Sequence, residues 1–399
     1  MTPAARVAAA IAVIDRWRTG AAGLDRVLAG WGRENRYAGS GDRRAIADLV
    51  YDTTRRLRSA FWVTGGGPED GRAALIGSLT LDGCDLAGLF DGSAHAPAPL
   101  TEAETAALRL DLDTAPRGVR LDLPDWLLPD LSHLTEDALT TLRQRAPLDL
   151  RVNRLKADPA AALAALAEDG IAATPVDLAP LALRITSGAR RVAACRAYLD
   201  GLVEIQDAAS QAAAAFAEAE PGETVLDFCA GGGGKTLALG ADMGGKGRLL
   251  AHDADPHRLK QLAPRAARAG LEVETVGPRE LPSLADRCDL VFVDAPCSGS
   301  GAWRRNPDAK WRLSRQRLRS LMRMQAQILD QASGLVRPGG RFVYATCSLF
   351  PGENAAQIDD FLSRRRDIHV DGTLDLPPNR GGDGFFAARL VRSGSGCSR

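Results

Sequence analysis

The sequence predicts an α/β fold: a parallel sheet with helices on both faces in the second half of the chain, preceded by an all-α region and a small α/β segment. Three observations predict it. After Gln206, five apolar runs bounded by glycine or proline recur: TVLDFC, GRLLAHD, LEVETV, DLVFVDAPC and GRFVYATC. Stretches of helical period accompany them at 235–243, 256–269, 314–336 and 353–364. Near-continuous apolar strands alternating with helices are the pattern of a parallel sheet buried on both sides. The first part of the chain differs, with alanine and leucine at helical spacing and little β-branched content, as in AARVAAAIAVIDRWR and RRAIADLVYDTTRRLRSAFWV.

Taken in order, residues 1–143 read as helical, broken at Gly65-Gly66-Gly67-Pro68 and again at HAPAPLT. Thr101 followed by Glu104 has the spacing of a capping box that opens another helix. Residues 144–205 read as a small α/β segment. LDLRVNRLK alternates like a strand, DPAAALAALAEDG reads as a helix stopped by Gly170, and strand-like runs continue to Ile205. Residues 206–399 hold the repeated strand–helix units. A chain of 399 residues exceeds one hydrophobic core, so two or three domains are expected.

Composition narrows the function classes. Apolar residues at 45% and charged residues at 25% describe a soluble globular protein. The run VAAAIAVI is too short for a membrane span and reads as one helix face. Seven cysteines without a CxxC pair argue against a disulfide framework and against a zinc site. A reducing cytoplasm is expected, with thiols left free for chemistry. The formal net charge is zero, yet Arg304, Arg305, Lys310, Arg312, Arg315, Arg317, Arg319 and Arg323 cluster against the single acid Asp308. A charge run is often only a solvated helix face. Trp303 and Trp311 among these arginines point instead to RNA, since aromatics stack on bases while arginines bind phosphates.

DFCAGGGGKT (227–236) joins the first strand of the C-terminal half to its first helix. Glycines there let backbone N–H groups approach a ligand, and the helix N-terminus adds positive charge. The loop by itself leaves three ligands open. A nucleoside triphosphate loop needs glycine at the position of Cys229, and a dinucleotide fingerprint fails at Thr236 and Leu237. S-adenosylmethionine needs a cation and an anion for its amino-acid end and an acceptor for its ribose. Lys235, Asp227 and Asp253 are those groups.

DAPCSGSG (294–301) and TCS (346–348) put a cysteine at the end of each of two neighbouring strands. Methylating C5 of cytosine requires that pairing of chemistries. C5 is not nucleophilic until a thiolate adds to C6, a second group must hold the N3/N4 edge of the base, and a methyl donor must lie close by. Cysteine at one strand end and Asp294 beside cysteine at the other meet the first two needs.

EIQDAASQ (204–211), DFCAGGGGKT, AHDADPHRL (251–259), DAPCSGSG, RRNPDAKWR (304–312), RPGGRFVYATCSLFPGEN (337–354) and GDGFFAARL together resemble the RNA 5-methylcytosine methyltransferases, the RsmB/NOP/Sun family, in its bacterial ribosomal RNA branch. The resemblance implies a Rossmann-like S-adenosylmethionine-dependent methyltransferase domain over 206–399, an N-terminal NusB-like RNA-binding domain over 1–143 and an RRM-like RNA-binding subdomain over 144–205. It implies that Cys347 attacks C6, that Cys297 helps release the product and that Asp294 contacts the base. Cys229, Ala230, Gly231, Gly232, Gly233, Gly234, Lys235, Asp253 and Asp294 are expected to line the S-adenosylmethionine site. Arg304, Arg305, Lys310 and Trp311 are expected to bind RNA.

The activity so implied is cytosine-C5 methylation of 16S ribosomal RNA by a cytoplasmic monomer, with neither a metal nor a membrane involved. Transfer RNA as substrate, a non-catalytic RNA-binding assembly factor and an NTPase are the alternatives. Two departures stand out: glycine occupies loop positions where the family carries alanine and proline, and VGPREL offers no aspartate for the adenine amino group, Glu280 being the nearest acid. Cys288 is expected in the core, His252 as a bystander, and Cys84, Cys195 and Cys397 outside any constellation.

Overall fold

A computed structural model describes residues 1–67, 70–109 and 111–394; Pro68, among the expected helix breakers, and Cys397 lie outside them. The chain forms two units, one of Met1–Arg145 with Trp303–Arg312, the other of Ala146–Ala302 with Leu313–Arg399. The expected boundary at 143/144 therefore falls at 145/146. Residues 146–205 share a unit with the large sheet, although they build a hydrophobic core of their own around Leu150, Leu166, Leu183 and Val203.

The first unit is helical, as its alanine-rich periodicity predicts. Helices Pro3–Thr19, Leu24–Glu34, Ser40–Arg55, Leu57–Thr64 and Gly71–Leu81 enclose Val7, Ile14, Trp17, Leu24, Ile46, Val50 and Leu75. Thr2 and Asp70 cap two of these helices by accepting from the N–H groups of Ala5 and Ala73. The Thr101/Glu104 capping box forms as predicted.

The segment 303–312 corrects one expectation. Lys310 is fully buried and donates from Nζ to the Arg55 carbonyl at 2.9 Å, and Arg55 Nε donates to the Arg304 carbonyl at 2.7 Å. Trp311 Nε1 donates to the Thr54 carbonyl at 2.8 Å, and Asp308 accepts the Leu24 N–H at 3.1 Å. Arg304 is buried, while Arg305 and Trp311 are half-buried. Arg304 and Lys310 cannot meet phosphates from these positions. The helical unit has taken this segment, because four unpaired backbone and side-chain groups find partners in it.

In the second unit, β1 (Asp149–Val152), β2 (Ala172–Pro175), β3 (Ala182–Ser187) and β4 (Val203–Ile205) pair antiparallel in the order β2-β3-β1-β4. Helix Pro159–Glu168 follows β1, and helix Arg196–Leu199 precedes β4, giving the β-α-β-β-α-β arrangement of a ferredoxin-like fold. The large sheet holds β5 (Thr224–Asp227), β6 (Arg248–Ala251), β7 (Glu274–Thr275), β8 (Cys288–Asp294), β9 (Val336–Thr346), β10 (Ile368–Leu376) and β11 (Phe385–Arg392). Its order is β10-β11-β9-β8-β5-β6-β7, parallel from β7 through β9 and antiparallel at β11 and β10. The antiparallel edge was not expected from the repeated strand–helix units.

The order reverses at β5 and β8, which opens the crevice where ligands of such sheets bind. No helix among the described residues is long and apolar enough to cross a membrane.

Burial pushes the Lys310 amine down to about 7. Unfolded, a lysine titrates near ~10.4. Between these values the unfolded chain holds a proton that the folded chain does not, so this residue makes the fold more stable as pH rises. The melting temperature of the wild type should therefore gain on that of Lys310→Met by several degrees between about pH 7 and about pH 9.5. Parallel melting curves would show that the amine is not desolvated in the folded protein.

Candidate active site

Asp227 closes β5, and its buried carboxyl accepts from Thr236 Oγ1 at 2.6 Å. Burial raises it to about 7 despite the Thr236 hydrogen bond. The loop that follows turns through Gly231 (φ 53°) and Gly233 (φ 85°), a region L-residues rarely occupy. A Cβ on Gly233 would also overlap Leu262. Here glycine is demanded by backbone conformation and by space.

Proline is missing from this loop, but hydrogen bonds restrain it. Gly231 N donates to Asp253 Oδ2 at 2.9 Å, Gly233 N to the Ala230 carbonyl at 2.8 Å, and Ala230 N to the His252 carbonyl at 2.9 Å. Arg265 binds both the Gly232 carbonyl and Glu204, tying the loop to the small sheet. Asp253 also accepts the Asp255 N–H at 2.9 Å and pairs with Arg258 at 3.1 Å. One lone pair of its Oδ1 stays available, fewer than a freely accepting ribose partner would offer. Cys229 is half-buried, and burial with Asp227 beside it pushes its thiol up.

Helix Gly234–Asp242 starts from the loop and delivers Lys235 across to β8, where Nζ meets Asp294 Oδ2 at 2.7 Å. Burial works against the ammonium, but Asp294, followed by Cys347 and Asp227, offsets it and the lysine ends above its ordinary value. The Phe385 ring lies 5.1 Å from the same Nζ.

β8 and β9 run parallel with Asp294 opposite Ala345, so the two turns leave from the same edge of the sheet. Cys297 Sγ and Cys347 Sγ lie 3.5 Å apart, both half-buried. Gly301 N donates to the Cys347 carbonyl at 3.0 Å, and Gly384 N to the Gly301 carbonyl at 3.0 Å. The hydrogen bond to Cys347, followed by burial, holds the Cys297 thiol well above its usual range. Cys297 is thus a thiol that keeps its proton.

The structure brings Cys347, Cys297, Asp294, Lys235 and the 229–235 loop into one crevice, with Asp253 behind the loop. Arg304, Arg305, Lys310 and Trp311 belong to the helical unit instead. His252 is buried, packs on Phe228 and bonds the Val276 carbonyl through Nδ1 at 2.8 Å. Glu280 accepts the Gly277 N–H at 2.7 Å and so caps its own turn. Cys288 is buried in the sheet core, Cys195 in that of the small sheet, and Cys84 is exposed.

Sequence reasoning missed a buried carboxylate, Glu353, and the groups around it: Ser298, Ser348, Gln325 and Tyr344. The signal was the serine that follows each cysteine.

The residues fit S-adenosylmethionine on two observations: a glycine cradle that side chains would fill, and a paired cation and anion at the mouth of β5 and β8. Among the described residues, no group of three or more His, Cys, Asp or Glu is placed to hold a metal ion.

Comparison with known proteins agrees with this layout. Residues 214–391 match the family described as 16S rRNA methyltransferase RsmB/F, and residues 123–192 match the ferredoxin-like domain of RsmF/B-like methyltransferases. The chain is 32% identical to the probable ribosomal RNA small subunit methyltransferase B of Synechocystis sp. over 311 residues, covering 71% of this chain and 70% of that protein. It is 35% identical to ribosomal RNA small subunit methyltransferase B of Klebsiella pneumoniae over 285 residues, which is 67% of this chain and 66% of that protein's own length.

The crystal structure of PH0851 is similar over 98% of this chain and 99% of that one, with a TM-score of 0.73 and 25% identity. A methyltransferase homolog protein from Pyrococcus horikoshii, 24% identical, shares the fold with a TM-score of 0.61 over 71% of this chain and 100% of that one. The chain belongs to the ribosomal RNA small subunit methyltransferase B family.

Proposed function

We propose that the protein is an S-adenosylmethionine-dependent RNA (cytosine-C5)-methyltransferase acting on small-subunit ribosomal RNA. One observation carries the reading: two thiols 3.5 Å apart at adjacent strand ends, beside the Lys235–Asp294 pair. A structural cysteine pair would have no use for a desolvated ammonium and carboxylate at its side. The residues that would hold the cofactor are the 229–235 loop, Asp253 and Asp294. S-adenosylmethionine, when bound, supplies the electrophilic methyl group that an activated C5 accepts.

The chain's own residues do the rest. Cys347 adds to C6 of the cytosine, which places electron density on C5. Asp294 accepts from the N4 amino group, an interaction uracil cannot offer, and Lys235 orients that carboxylate. Cys297 retains its proton and stands against the Cys347 sulfur, where it assists departure of that sulfur at product release. Free thiols of this kind require a reducing compartment, which favours the cytoplasm. The helical unit, rich in arginine, is read as a NusB-like RNA-binding domain.

RNA contact in the catalytic unit falls to the helix Arg315–Ser333 rather than to the segment before it. Arg315, Arg319 and Arg323 are exposed at four-residue intervals. That spacing is about 6 Å per step along a helix, close to one phosphate per arginine on an extended strand.

In Cys347→Ala, methylation of ribosomal RNA should vanish while S-adenosylmethionine binds within about twofold of wild type, read by radiolabelled methyl transfer and by calorimetry. Retained turnover would remove Cys347 as the nucleophile. In Cys297→Ala, a covalent RNA–protein adduct through Cys347 should accumulate and shift the band on a denaturing gel. Its absence would mean that Cys297 has no part in release. Neutralising Arg315, Arg319 and Arg323 to Gln should lower the slope of log affinity against log salt by about 2. An unchanged slope would leave that helix face merely solvated.

A further inference from the structure

The 3.5 Å separation of Cys297 and Cys347 has to be set by something, because each cysteine sits on a turn, outside the hydrogen-bonded ladder of the sheet. Both turns converge on one side chain. Glu353 is fully buried in the short turn Pro351–Glu353. Its Oε1 accepts from Ser298 N at 2.9 Å and from Gln325 Nε2 at 2.9 Å. Its Oε2 accepts from Ser298 Oγ at 2.5 Å and from Ser348 Oγ at 2.6 Å.

Ser298 directly follows Cys297, and Ser348 directly follows Cys347. Gln325 also donates to the carbonyl of Pro296, the residue before Cys297, at 2.9 Å. The Glu353 backbone is fixed in turn by Tyr344, whose hydroxyl donates to its carbonyl at 2.7 Å.

A carboxylate has about four acceptor positions, and all four are filled here by donors from three separate segments. Burying a polar group is costly unless it is hydrogen-bonded, and the donors from both cysteine turns offset that cost here. A structural role alone would be met more cheaply by an apolar side chain packing under the turns. What the carboxylate adds is direction: it draws the residue after each cysteine toward one point, so the two sulfurs cannot drift apart independently.

We propose that Glu353 is a positioning residue that sets the distance between the nucleophile Cys347 and the release cysteine Cys297. The inference rests on the reading of these two thiols given above. Glu353 touches neither the base nor the methyl donor. It acts through Ser298 and Ser348, and its loss leaves both thiols present but no longer in register. A glutamine in its place offers only two acceptor positions and turns two N–H groups toward groups that now donate.

The test uses the full chain and two readouts. Phenylarsine oxide bridges two thiols in contact, forming two As–S bonds and releasing one water, and such a bridge resists excess monothiol where single thiols do not. Wild type should retain one phenylarsenic group by intact mass, and Cys297→Ser should lose it. Glu353→Gln, isosteric and expected to melt within a few degrees of wild type, should bind the arsenical at least tenfold more weakly. Its kcat should fall at least tenfold, with KM for RNA and the affinity for S-adenosylmethionine within about twofold. The double variant Ser298→Ala/Ser348→Ala should reproduce both losses.

Wild-type bridging and wild-type kcat in Glu353→Gln and in the double serine variant would overturn the proposal. So would a fall in kcat with bridging unchanged. If wild type bridges as expected and Glu353→Gln does not, yet wild type methylates no RNA, the positioning stands and the functional reading fails.

Discussion

Parallel pairing of β8 with β9 is the constraint on which the site depends. It places Asp294 opposite Ala345 and sends both chains out of the sheet on the same side. An antiparallel partner at that position would have put the second turn at the far edge, and the two thiols would never have met. The neighbouring pairing of β5 with β8 does the same for the glycine loop and Asp294, so Lys235 reaches its carboxylate without crossing the sheet. Three loops of very different composition are thus gathered by strand order alone. Their fine placement then comes from side chains: Asp253 for the glycine loop, Glu353 for the cysteine turns.

The electrostatics of the crevice divide the work among chemically similar groups. Asp227 is buried and moves toward neutrality, while Asp294 is paired with the Lys235 ammonium. Cys297 likewise keeps its proton, its thiol raised by the hydrogen bond to Cys347 and by burial. One sheet edge therefore offers a carboxyl shifted toward neutrality, a carboxyl paired with an ammonium, and a thiol that keeps its proton. No single residue type could give that range without the differences in burial that the loops create.

Much of this was legible in the sequence, for physical reasons that also explain the failures. β5, β6, β8 and β9 are buried on both faces, so their apolar runs are nearly continuous and end at recognisable turns. β10 has only its two ends buried and carries a glycine and two aspartates, so no continuous apolar run marks it in the sequence. Lys310 shows the opposite failure. In the sequence it is one cation among many, and its burial is decided by the carbonyl of Arg55, far away in the chain. Glu353 was visible within a stretch matched to the family, but nothing local says that Ser298 and Gln325 will point at it.

The membership of residues 303–312 in the helical unit has a consequence for how the chain is made. That unit is discontinuous, since residues 146–302 intervene between its two parts. Trp303 and Lys310, both fully buried there, are synthesised long after the helices that enclose them. On the ribosome the first helices emerge with an unfilled cleft and unpaired carbonyls at Thr54 and Arg55, and they wait until residue 312 has left the exit tunnel. Closing so long an insertion costs little more entropy than closing a shorter one, so the delay is one of time rather than of final stability. The helical unit is first to be translated, yet it cannot be first to be finished.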